Sequence, residues 1–98
     1  MGREMRINYR DVMNKAKKMQ NKSLELSYQI IRLENIEQSI SQQWKGPAST
    51  VFQRKLVQLI RRMRAVKNEL SDTAELIEIT AKAIHQADME AKKKAKQL

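Results

Sequence analysis

The sequence predicts an all-α protein, an antiparallel helix-turn-helix hairpin that dimerises into a four-helix bundle. Three observations lead there. The 98 residues contain only two glycines and one proline, whereas β-rich folds need a turn every 8–12 residues or so. Apolar residues recur at steps of three and four along nearly the whole chain. A single break, Gly46-Pro47, divides that rhythm near its middle. The length suits one domain, residues 1–98.

The first helix is expected over about residues 9–43. Asn8 is a good N-cap, and Asp11 three positions on favours the positive end of the helix dipole. Ile7 is placed to staple onto the first turn. The apolar stripe then runs through Tyr9, Val12, Ala16, Met19, Leu26, Ile30, Leu33, Ile40 and Trp44, with Ser23 and Glu37 at its two polar steps. Met13, Leu24, Ile31 and Ile36 form a second row beside it. At 1.5 Å per residue this helix is roughly 50 Å long.

The turn is expected at residues 44–47. Gly46 suits the left-handed residue that closes a helix, and Pro47 suits the first turn of the next. The second helix is expected over about 48–90, with its stripe at Phe52, Leu56, Leu59, Met63, Val66, Leu70, Thr73, Ile77, Thr80, Ile84, Ala87 and Ala91, flanked by Ile60, Ala74 and Ala81. Residues 92–98, with Lys92-Lys93-Lys94-Ala95-Lys96, are expected as a flexible basic tail.

Two helices of near-equal length joined by so short a turn must lie antiparallel, and a repeat near 3.5 residues suits left-handed coiled-coil packing. The stripes are wider than a two-helix seam covers. In a lone hairpin Met13, Leu24, Ile31, Ile36 and Ile60 would lie partly in water, and each contributes about 1.5–3 kcal/mol when fully buried. The expected dimer therefore has its core at Met19, Leu26, Ile30, Leu33, Leu56, Leu59, Met63, Val66 and Leu70.

Composition excludes several classes. There is no cysteine, hence no disulfide frame or thiolate metal site. The first six residues, Met1-Gly2-Arg3-Glu4-Met5-Arg6, lead into no apolar run of the kind a cleavable signal peptide needs, and no stretch approaches the roughly 20 apolar residues of a membrane span. Arg6 also breaks the myristoylation pattern that Gly2 would begin. The single histidine, His85, has no second ligand or nucleophile spaced to serve it. Glu34/Glu37 and Asp72/Glu75/Glu78 have the spacing of surface charges on a helix, and acid catalysis needs carboxylates held in a cleft. No enzyme, cofactor or metal is expected. Met5, Met13, Met19 and Met63 fall at core spacing and read as packing.

The net charge of +9 is large for the size and permits an acidic protein, a nucleic acid or an anionic membrane as partner. Arg54, Lys55, Arg61, Arg62, Arg64 and Lys67 follow one another with no acid between them. The seven-residue repeat of Arg54/Arg61 and Lys55/Arg62 makes a basic stripe beside the apolar one, either a solvated face or a docking face. Nucleic-acid binding is disfavoured, because Phe52 is the only ring nearby and belongs to the apolar row.

Trp44-Lys45-Gly46, between two amphipathic helices at the middle of a chain of about one hundred residues, resembles the WxG family of type VII (ESX/Esx) secretion proteins. Ala48, Phe52 and the Ile7-x-Tyr9 lead-in add to the likeness, which covers essentially the whole chain. Ile84, Asp88, Ala91 and Ala95 are similar to the family's C-terminal export signal, with Ile where actinobacterial members have Tyr. All four would share one helical face.

The resemblance implies a non-enzymatic protein exported as a folded homodimer, or as a heterodimer with a sister WxG protein. A membrane-bound FtsK/SpoIIIE-like ATPase would recognise it, with the turn of one subunit near the export tail of its partner. It implies secretion without a cleavable signal peptide, from a cytoplasmic stage, as an effector or as escort for a larger toxin. The competing readings are a basic nucleic-acid-binding dimer and a cytoplasmic coiled-coil adaptor. Trp44 also has a purely structural reading, as an indole that plugs one end of the hairpin core.

Overall fold

The computed structural model describes residues 8–97 and shows two helices, α1 (Tyr9–Gln43) and α2 (Pro47–Gln97), with no strand among the described residues. The Ile7 staple, the Ile7-x-Tyr9 lead-in and Met5 lie in part or wholly outside them. α1 begins as its sequence directs: the Asn8 side chain accepts from the Asp11 N–H at 3.1 Å. The helices lie antiparallel as an extended hairpin of 79 × 18 × 15 Å.

Every half-buried or buried seam position follows the steps of a coiled coil. With the heptad written abcdefg and the seam at a and d, α1 contributes Tyr9, Met13, Ala16, Gln20, Ser23, Ser27, Ile30, Glu34, Glu37 and Ser41. α2 contributes Ser49, Gln53, Leu56, Ile60, Met63, Lys67, Leu70, Ala74, Ile77 and Ala81. The seam is dominated by small and polar residues. Its one apolar cluster is Ile30, Leu56 and Ile60, with Leu33, Ile40 and Met63 packed against it.

Polar bridges set the register on the side of that cluster away from the turn. Ser23 Oγ donates to the Lys67 carbonyl at 3.1 Å. Gln20 Nε2 donates to the Ser71 carbonyl, and Ser71 Oγ returns a bond to Gln20 Oε1, both at 3.2 Å. Tyr9 and His85 stack at the open end, ring centroids 4.2 Å apart. Charge agrees with this register. The α1 segment 10–22 has five cations and one acid, and it faces about residues 69–83 of α2, which have four acids and one cation, Lys82.

This seam is rotated from the stripes read off the sequence. Those stripes occupy d and g, whereas the hairpin closes on a and d. Ile60, expected partly in water, is 5% exposed, while Leu59 and Val66 at g are 46% and 53% exposed. Small side chains at a (Ser27, Ala74, Ala81) let the backbones approach and leave the bulkier g row outside. Of the expected dimer core, Ile30 and Leu56 are thus buried within one chain. Met19, Leu26, Leu33, Met63 and Leu70 are half-buried.

α2 also runs to Gln97 instead of ending near residue 90. Lys92–Lys96 continue the helix in place of the expected flexible tail, because Ala, Lys and Gln are good helix formers and no Gly or Pro interrupts them. Lys94 and Lys96 favour the negative end of the dipole.

Candidate functional site

The turn is a small hydrogen-bonded knot. Trp44 leaves α1 with extended backbone, and its N–H donates to the Ile40 carbonyl at 2.9 Å. Gly46 has φ +120, the range that favours glycine, and a Cβ there would meet nothing within 4 Å. Its role differs from the expected helix closure. The Gly46 carbonyl accepts from the Thr50 N–H at 3.1 Å and from Thr50 Oγ1 at 3.2 Å, so it opens α2. Ser49, 1% exposed, donates its hydroxyl to the Trp44 carbonyl at 2.7 Å and accepts from Gln53 Nε2 at 2.9 Å. Lys45 Nζ donates to the Ser41 carbonyl at 2.7 Å.

This knot presents the indole outward. Trp44 is 44% exposed and leans on Phe52, centroids 5.9 Å apart and planes tilted by 50°. Trp44 departs from α1 in extended conformation, so its ring lies against Phe52 beside the turn and stays partly open to solvent. Ser49 was missed in the sequence, where a serine two residues past a proline carries no sign of burial.

At the opposite end, Ile84, Asp88, Ala91 and Ala95 are all exposed. They continue the d, a, d, a positions of the α2 seam: Ile84 still lines a groove with Val12 of α1, and Asp88, Ala91 and Ala95 lie beyond the Tyr9–His85 stack. Among the described residues, α2 continues past that stack for Gln86–Gln97, about 18 Å.

Arg54, Lys55, Arg61 and Arg62 are all exposed on the outward side of α2, Arg54 and Arg61 at b and Lys55 and Arg62 at c. Arg64 reaches across the e side to Glu34 at 2.8 Å, and Lys67 is half-buried in the seam.

The profile of the WXG100 family, "Proteins of 100 residues with WXG", matches residues 4–89. The chain belongs to the WXG100 family. The matched span of this WXG100 protein holds Trp44, Gly46, Ile84 and Asp88 and stops short of Ala91 and Ala95. The family is one of small, non-enzymatic, secreted proteins of type VII systems. No curated protein and no solved structure matches the chain. Among the described residues no helix is long and apolar enough to cross a membrane.

Proposed function

We propose that this WXG100 protein leaves the cell through a type VII pathway as a folded four-helix dimer, recognised by an FtsK/SpoIIIE-like ATPase, and acts as a secreted effector or as escort for a larger substrate. The observation that carries the reading is the displayed Trp44-Lys45-Gly46 knot at the centre of a family match spanning residues 4–89.

Surface area supports the dimer. The chain exposes 8184 Å², whereas a compact monomer of its mass exposes about 5,800 Å². One apolar part of that excess forms a continuous ledge on one side. Reversing one helix of a coiled coil brings both g rows to the same flank. Val12, Met19, Leu26, Leu33 and Ile40 of α1 there meet Phe52, Leu59 and Val66 of α2. Ile36 and Leu76, 49% and 63% exposed, extend this ledge, and an apolar groove lined by Val12, Leu76, Ile77, Thr80, Ala81 and Ile84 closes it at the open end.

A second hairpin, of the same chain or a sister WXG100 protein, covers the ledge. Laid antiparallel, it brings its own turn against the projecting end of α2, so that Trp44 of one copy and Ile84, Asp88, Ala91 and Ala95 of the other form one recognition surface.

The test is the extracellular fraction with and without the secretion ATPase. The protein is expected in the medium uncut at either end, and absent when the ATPase is deleted. Trp44→Ala and Asp88→Ala are each expected to lower export while circular dichroism stays unchanged. Unchanged extracellular levels without the ATPase would overturn the proposal.

A further inference from the structure

On the flank opposite the g ledge, Leu24, Tyr28 and Ile31 are 55%, 64% and 52% exposed. Their steps of four and three place them on one outer strip of α1, at e and b. The seam does not use them, and a second hairpin on the g ledge leaves them uncovered. We infer that this strip is a second docking surface, and that its occupant is a short acidic amphipathic helix of another protein. The inference rests on the dimer reading only for which flank stays open.

Charge and shape choose the occupant. The antiparallel register, with Ser23 against Lys67, sets Leu24–Ile31 beside the α2 segment that holds Arg61 and Arg64, at b and e on the same flank, with Val57 and Arg54 following toward the turn. Arg64 is held by Glu34 at 2.8 Å, which keeps its stem along the flank. Among the described residues Arg54 and Arg61 have no ion-pair partner, and both are exposed. The α1 rim carries Glu25 and Arg32, which balance.

The surface therefore has an apolar floor about two turns long and a basic wall on the α2 side only. A membrane, being flat, would call for cations on both rims. A rod lying along the hairpin matches a one-sided wall: its apolar residues at i, i+4 and i+7 meet the floor, and its acids meet Arg61 first and Arg54 toward the turn. Three turns suffice to span the floor and Arg61.

The experiment uses the purified full chain, with its mass followed by light scattering throughout. The probe is a labelled synthetic helical peptide of about three turns, with Leu at i, i+4 and i+7 and Glu along one side of that stripe. A control peptide carries Lys for Glu. The Glu peptide is expected to bind, and the Lys peptide at least about tenfold more weakly. Ile31→Ser and Arg61→Glu are each expected to weaken Glu-peptide binding by about tenfold or more, with dimer mass and helix content unchanged.

Equal affinity for both peptides, no binding, or full binding after Arg61→Glu would overturn the inference. So would capture by anionic phospholipid vesicles without peptide binding, which would make the strip a membrane contact. Loss of dimer mass on Ile31→Ser would show that this flank is the dimer interface. A wild-type chain that is monomeric yet binds the peptide would sink the dimer reading and leave the docking strip standing.

Discussion

Gly46 is required by its backbone alone. Its φ of +120 falls where L side chains are strained, and there is open space where a Cβ would go. Gly46→Ala should therefore cost about 1–3 kcal/mol in chemical denaturation without altering the folded mass. Ser49 is the reverse case, a residue required by its side chain. Ser49→Ala removes the 2.7 Å bond to the Trp44 carbonyl and the acceptor for Gln53. It should destabilise by about 1 kcal/mol, and more of the effect should appear as altered Trp44 fluorescence than as lost helix. In the apolar cluster, Ile60→Ala empties a site 5% exposed and should cost about 2–5 kcal/mol. By contrast, breaking the Arg64–Glu34 pair, with side chains 47% and 45% exposed, should change stability by less than about 1 kcal/mol.

At the scale of the helix, the start of α1 and the break between helices were legible because they depend on local chemistry: Asn8 with Asp11, and Gly46 with Pro47. Trp44 and Gly46 were legible as a site for the same reason. The end of α2 was misread because a run of lysines signals solvent exposure, and exposure does not unwind a helix that lacks a breaker. The choice of seam was illegible for a different reason. A d-and-g stripe and an a-and-d seam share one repeat, so periodicity reveals an apolar side without saying which part the mate helix covers. Burial of Ser23, Ser49, Ala74 and Ala81 decides that, and small residues give no hydrophobic signal. The projecting end of α2 makes an element-scale prediction. Removing residues 86–98 should leave the thermal midpoint nearly unchanged, since among the described residues they lie beyond the Tyr9–His85 stack, while abolishing export. A large fall in the midpoint would mean that this segment packs in the dimer core.

For the whole molecule, the proposed dimer makes stability and association one quantity. An 18 × 15 Å cross-section encloses little beyond a single layer of side chains, so in that proposal much of the burial that stabilises the fold comes from a second hairpin. The thermal midpoint should accordingly rise with protein concentration. Leu59→Ser and Val66→Ser on the g ledge should remove that dependence and lower the particle mass toward 11.5 kDa. A midpoint independent of concentration would assign the ledge to another partner.

The knot at residues 44–53 bears on time as well as on stability. The two helices are joined only there, so the contacts of lowest sequence separation lie beside the turn and the longest-range ones at the Tyr9–His85 stack. Loop closure costs least at the turn, and assembly should proceed from it like a zip fastener. Ser49→Ala should then slow refolding, whereas Ala81→Gly, far along the zip, should chiefly hasten unfolding. The open end would then be the last part to form and the first to part.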